Sequence, residues 1–205
     1  MALAALSHDE RVSEVELSGD ELAGQSARGA SFTAMAMSGV DLSGSRLEHL
    51  RIANSALTGC NLANVRARGA SLDTVVIRGC RLTGVELAES SLSDVQFAEC
   101  RIDLATLRAC RLARVSFEDC VLADTDFLEA KLDSVRFERC NLTGGDLRGA
   151  RMARCELRRN ELDGLQGVES LRGCAMEWSD IVAMAGTLAQ ALGIETLDAG
   201  PPPPG

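Results

Sequence analysis

The chain has 205 residues, 46% of them hydrophobic and 25% charged, which is room for one large or two small domains. Five Phe, one Trp and no Tyr are few aromatics for a conventional globular core. A net charge of −9 argues against direct nucleic-acid binding, which needs clustered Lys and Arg, and no run of about 20 apolar residues is present to cross a membrane. The opening, Met1 to Glu10, has no basic segment and too short an apolar run for a secretory signal. The expectation is a cytoplasmic chain whose residues 1–14 form an N-terminal cap.

From Leu17 onward a five-residue beat sets in. Of the thirty positions counted in fives from Leu17 to Leu162, all but Ala27 and Ala67 are Leu, Ile, Met or Phe. Two residues before each of these sits a second series, including Val15, Ala30, Val40, Cys60, Val65, Ala70, Val75 and Cys80. A short fixed period means a solenoid. Five fits neither helix nor strand. On a helix each step rotates about 140°, and on a strand alternate copies would face opposite ways. The chain must therefore turn once per repeat. Within a repeat, residues i−2 and i point inward and i−1 points out. Residues i+1 and i+2 make the bend. Of the 19 glycines, twelve fall at i+2, among them Gly19, Gly59 and Gly144, where a turn favours unusual backbone angles.

Cys60, Cys80, Cys100, Cys120 and Cys140 recur every twenty residues, as do Val75, Val95, Val115 and Val135, and Phe97, Phe117 and Phe137. Four repeats thus make one coil, and each set stacks as a ladder. With strands ~4.8 Å apart, seven or eight coils give a rod of roughly 35 Å. Residues 15–178 are assigned to this rod.

Repeats such as Cys60-Asn-Leu-Ala-Asn, Ala70-Ser-Leu-Asp-Thr, Cys140-Asn-Leu-Thr-Gly and Ala150-Arg-Met-Ala-Arg resemble the pentapeptide-repeat consensus. The consensus is a small residue, then Asp or Asn, then Leu or Phe, then two variable polar residues. The resemblance runs from about Val15 to Asp163. It implies an all-β fold, a right-handed quadrilateral β-helix. Several positions depart from the pattern. Asp20, Gln25 and Asn160 put polar groups in the small inward slot near the two ends, where frayed or solvated coils are expected. Met35 and Leu50 are oversized and predict bulged coils.

After Leu162 the beat slips. Leu171 and Met176 look like further centres displaced by one residue. Ser179 or Asp180 then reads as a helix cap. Ile181, Met184, Ala185, Leu188 and Leu192 form an apolar stripe, and Gly193 is a natural stop. These predict a short C-terminal α-helix over about 180–192, within a segment 179–198. The stripe either closes the last coil or pairs with a second copy, and one helix can do both. Some pentapeptide-repeat proteins that act on bacterial type II topoisomerases dimerise through C-terminal helical segments, and this layout is similar. Residues 199–205, ending Pro201-Pro-Pro-Pro-Gly205, read as a disordered polyproline tail.

No residue is assigned to catalysis, to a cofactor or to a metal. Seven cysteines, Cys60, Cys80, Cys100, Cys110, Cys120, Cys140 and Cys155, occupy the inward slot, where Cys packs as a small hydrophobe. Ladder neighbours projecting in parallel suit neither a disulfide nor tetrahedral zinc. His8 and His49 stand without a motif. Nothing resembles a triad, a P-loop or a paired-carboxylate site. The expected function is therefore non-enzymatic: a scaffold rod for a protein partner. The alternative, implied by the resemblance, is a dimeric DNA mimic that modulates DNA gyrase, as in quinolone resistance. Sorting charges by wall weakens that alternative. The wall of Leu22, Leu42 and Leu62 is net −4, but the wall of Phe32, Ile52, Leu72 and Leu112 is net +3, and most of the excess negative charge lies off the rod. A cluster of Arg139, Arg151, Arg154, Arg158 and Arg159 near the C-terminal end is either a solvated mixed face or a contact for an acidic partner.

Overall fold

The computed structural model describes residues 6–195. Short strands pair in parallel with the strand one coil on, and almost every register is twenty residues: Phe32↔Ile52, Leu72↔Leu92, Ile77↔Phe97, Phe117↔Phe137. This is the parallel β-solenoid, of about eight coils, that the beat predicts. Pairing begins at Arg11–Ser13, which joins Ser31–Thr33, four residues ahead of the expected boundary at 15.

The four walls are not alike. The walls of Phe32 and Leu57 are built of true strands, such as Arg51–Thr58, Ser71–Arg78 and Ser91–Ala98. The walls of Leu22 and Leu47 are single bridges between turns, such as Glu21↔Asp41 and Arg66↔Glu86, except where Ser26–Arg28 pairs with Arg46–Glu48 as a short two-stranded sheet. The corners explain the five-residue turn. Every i+2 position from Asp9 to Gly164 has φ between about 49° and 73°. Twelve of these corners are glycine and twenty are not. Left-handed backbone costs a non-glycine residue roughly 1–2 kcal/mol, so the coil-to-coil hydrogen bonds hold most corners in that conformation against local preference. Thr74, β-branched at φ 55°, is the plainest case.

Inside, the beat residues form one continuous core. Phe97, Phe117 and Phe137 stack with ring centroids 4.9 and 5.1 Å apart, and Phe127 meets Phe137 edge-on at 6.0 Å. Met35 and Leu50 are buried without the predicted bulge. The registers beside them stay at twenty, with Ala36 opposite Ala56 and Arg51 opposite Ser71.

The small inward slot also bonds the backbone. Ser55 Oγ accepts the N–H of Met35 at 3.0 Å, and Ser90 Oγ accepts that of Ala70 at 2.9 Å. Thr125 Oγ1 donates to the carbonyl of Ile102 at 3.0 Å. Cysteine does the same with sulfur. Cys60 N–H donates to Cys80 Sγ at 3.3 Å, and Cys110 Sγ–H donates to Leu87 O at 2.8 Å. Burial pushes the Cys110 thiol up to about 12, so it stays a protonated donor. These are free thiols, seven of them buried and Cys174 half-buried.

Candidate interaction surfaces

The C-terminal end carries the short helical segment that the stripe predicts, with differences in its start and continuity. The stripe predicts a single helix over 180–192. The chain instead forms two short helices, α1 (Trp178–Ala183) and α2 (Ala185–Ala191), broken at Met184. Glu177, not Ser179 or Asp180, stands at the start of α1. Asp180 has a different task. It is buried, and its Oδ2 accepts the backbone N–H of Asn160 at 3.2 Å. Asn160 in turn accepts the N–H of Cys140 at 2.9 Å and donates to Phe137 O at 3.1 Å. Cys140, Asn160 and Asp180 are successive members of one twenty-residue column. The polar slot expected to mark a frayed coil therefore hands its backbone bond to the helical cap.

The last strand, Ala175–Met176, pairs with Glu156–Leu157 at a spacing of nineteen, the one-residue displacement read from the slipped beat. Of the stripe, Met184 is buried, and Ile181 and Leu188 are half-buried, with Leu188 against the core. Ala185 is exposed and Leu192 is 74% exposed. The break at Met184 thus splits the predicted stripe into a part that closes the rod and a part that faces outward. The outward part gains residues that the stripe left out. Trp178 is 75% exposed, Val182 56% and Ile194 55%. Trp178 and Val182 stand four apart on α1, a pairing legible in the sequence once the helix is started two residues earlier.

Along the walls, arginines reach carboxylates on the neighbouring coil. Arg114 is bidentate on Asp94 at 2.7 and 2.6 Å. Arg139 contacts Asp119, Glu118 and Glu138, and Arg154 pairs with Asp133. The Arg114 hydrogen bonds hold the Asp94 carboxyl below the usual carboxylate range, and those of Arg139 do the same for Asp119. Asp103 is the most buried wall carboxylate. Burial raises its pKa, but hydrogen bonds from Arg101 and Thr83 outweigh that and leave it lowered. The predicted arginine cluster is largely neutralised, since Arg158 also pairs with Glu156 and Arg159 with Glu177. Arg151 alone of the five is in no ion pair among the described residues. Leu104, at an outward corner, is 59% exposed, whereas Leu128 is half-buried.

The profile for pentapeptide repeats in eight copies matches residues 53–94, and that for the pentapeptide repeat region matches 90–166. The two together span more than half of the chain. It belongs to the pentapeptide-repeat family. No match is found among curated proteins. Solved pentapeptide-repeat structures resemble this rod at low identity. HetL, involved in heterocyst differentiation regulation in the cyanobacterium Nostoc sp. strain PCC 7120, is 19% identical over 82% of this chain and 90% of its own, with a TM-score of 0.46. A trypsin-treated variant of QnrB1, a plasmid-mediated fluoroquinolone resistance protein, is 18% identical over 90% of this chain and 99% of its own, with a TM-score of 0.40. A thylakoid-lumen protein of Arabidopsis thaliana is 18% identical over 46% of this chain and 63% of its own, with a TM-score of 0.32.

Among the described residues of this pentapeptide-repeat chain, no helix is long and apolar enough to cross a membrane, and no three His, Cys, Asp or Glu gather as a metal set.

Proposed function

We propose that the chain is a non-enzymatic, protein-binding rod that works as a homodimer joined through the outward face of its C-terminal helices. The supporting observation is Trp178. This is the one Trp of a chain that buries all five of its Phe, and it stands 75% exposed on α1 beside Val182 at 56%. Aromatic anchors of this kind dominate interface energetics. A patch at the end of a rod can meet its own copy about a two-fold axis. The inner residues, Met184 and Leu188, are occupied in closing the last coil, so the two roles divide between the two faces of one segment.

Light scattering tests this. The expected mass at tens of micromolar is twice the 21.7 kDa of the chain. It should fall to one chain in Trp178→Glu/Val182→Glu, with the circular dichroism of the rod unchanged. A wild-type monomer at that concentration overturns the dimer. Substituting Leu188 would be a poor probe, because it packs on the core.

The second reading is a DNA-mimicking modulator of DNA gyrase. In its favour, Glu21 and Asp41 stack at one end of the acid-rich wall, with Glu161 and Asp163 at the other, and none of them is in an ion pair among the described residues. Against it, Arg81 and Arg101 interrupt that wall midway, where a mimic needs a continuous field. Gyrase supercoiling with and without a fluoroquinolone separates the two readings. Neither inhibition nor drug protection is expected at micromolar chain; either result would install the mimic.

A further inference from the structure

We propose that the wall of Phe32, Ile52, Leu72 and Leu112 is a docking track for the acidic face of a partner α-helix laid along the rod axis. This rests on the reading of the chain as a protein-binding rod and names the chemistry of one partner.

The outward column one residue before those centres contains no acid. Arg111, Lys131 and Arg151 sit in register on three successive coils. Below them come Ser91, Ser71 and then Arg51, with Ser31 and Arg11 at the foot. All five cations are exposed. None is in an ion pair among the described residues, although the two other arginines of this wall are: Arg114 is held by Asp94, and Arg154 by Asp133. The wall's remaining carboxylates are Asp73, beside Ser71, and Glu14, at the corner past Arg11; Asp9 and Glu129 stand at the corners before Arg11 and Lys131. Elsewhere on the walls of the rod most arginines hold a carboxylate in their own coil or the next, and only Arg28, Arg46 and Arg81, on other walls, are in no ion pair among the described residues. Here five cations are left facing solvent in one line.

The spacing selects the partner. Successive coils put the cations ~4.8 Å apart, so Arg111 to Arg151 covers ~10 Å. Carboxylates at i, i+3 and i+7 of an α-helix lie at ~0, 4.5 and 10.5 Å along its axis. Alternate side chains of an extended strand recur every ~6.7 Å and fall out of step after one coil. A nucleic-acid duplex carries phosphates around its whole circumference, so the acidic remainder of a net −9 chain would repel those the track does not meet, whereas a helix can confine its carboxylates to one stripe. The adjoining outward column, two residues on, is small at Ala53, Ser93, Ala113 and Ala153, where a helix can lie close to the wall; of its two acids, Asp133 is held by Arg154 and Asp73 lies beside the serines rather than the three successive cations. From Arg51 to Arg151 the track spans five coils, about 24 Å, the length of about 16 helical residues.

The test uses the full chain and fluorescence anisotropy. The probe is a fluorescein-labelled, alanine-rich helical peptide of about 20 residues with Glu at i, i+3 and i+7 in repeat. Controls are an isomer with the same Glu spread around the helix and a labelled DNA duplex. The variant is Arg111→Ser/Lys131→Ser/Arg151→Ser. Serine already occupies this column at 31, 71 and 91 without disturbing the register, so the variant coil should fold. The striped peptide should bind, more weakly as salt rises, and both the isomer and the triple variant should lower its affinity about tenfold or more. Equal binding by the isomer, or undiminished binding by the triple variant, overturns the track. So does tighter binding of the duplex than of the peptide. Peptide binding that survives the triple variant but is lost in Trp178→Glu/Val182→Glu moves docking to the C-terminal face, sinking the track while the protein-binding reading stands. Gyrase inhibition together with peptide binding lost in the triple variant would leave the track standing and put the gyrase mimic in place of the leading reading.

Discussion

A Phe117→Ala rod should unfold with about 3–5 kcal/mol less free energy than the wild type, read by urea denaturation. Phe117 is 1% exposed, and its ring lies between Phe97 and Phe137, within 6° and 4° of parallel. Truncation removes the ring's own burial and also strips one face from each neighbour, so the stacking increment of about 0.5–1.5 kcal/mol per pair is lost twice. The cavity cannot readily close. Its walls are strands locked by coil-to-coil hydrogen bonds on both sides, with Phe117 paired to Phe97 below and Phe137 above. Phe117→Leu should cost far less, about 1–2 kcal/mol, because Leu57, Ile77 and Leu157 fill the same column elsewhere in unbroken register. A fall in the urea slope of the alanine variant would mean that the rod unfolds in two blocks around the gap, as nearest-neighbour coupling in a solenoid allows. A loss below about 1 kcal/mol would mean the coils do close over the space, and the account of a rigid interior would be wrong.

That rigidity is the part of the molecule most legible in the residues themselves. A five-residue beat with a twenty-residue recurrence determines which side chains point inward, which stack and where the corners fall. Phe97, Phe117 and Phe137 stack where the recurrence puts them, and the glycine phase marks corners that all take positive φ. What the beat conceals is anything that acts across coils through polar atoms. The inward cysteines read as packing, but their sulfurs also bond the neighbouring backbone, as Ser55, Ser90 and Thr125 do with oxygen. Asn160 reads as a flaw until Asp180 is found one step up the same column. The arginines read as a cluster by position, and only side-chain reach shows that most are spent on carboxylates a coil away while the Arg111 column is not. At the C-terminal end the period is gone. The helical stripe then misjudges both the start and the unity of the helix, because burial there is set by fit against the last coil rather than by a repeat.

Gly167→Ala should detach that end, at a cost of about 2–5 kcal/mol to the terminal cap. Gly167 lies past the last regular corner and opens the 3-10 turn Val168–Leu171, at φ 72° and ψ 34°. A Cβ there would stand 2.3 Å from Arg148 N and 2.6 Å from Arg148 Cα and the Leu147 carbonyl carbon. All three are backbone atoms of the coil below, so no rotamer change relieves the overlap. The turn is tied down at that same place. Ser170 Oγ donates to Leu147 O at 2.8 Å, and Val168 and Leu171 are buried. Lifting the turn breaks the bond and uncovers both side chains. Gly164→Ala is the control. It shares a positive φ of 65°, but the nearest atom to its Cβ is 3.7 Å away, so it should carry only the left-handed cost that twenty other corners already carry. The chain's one Trp sits on α1, directly after the strand that succeeds this turn, and its fluorescence reports the cap separately from the rod. Gly167→Ala should bring an early Trp178 transition in urea ahead of the main unfolding, and Gly164→Ala should not. Coincident transitions of equal midpoint in the two variants would show that the close approach to Arg148 is relieved by a small shift. The early transition would instead tie the exposed Trp178 face, and any pairing it makes, to a glycine eleven residues upstream that touches neither.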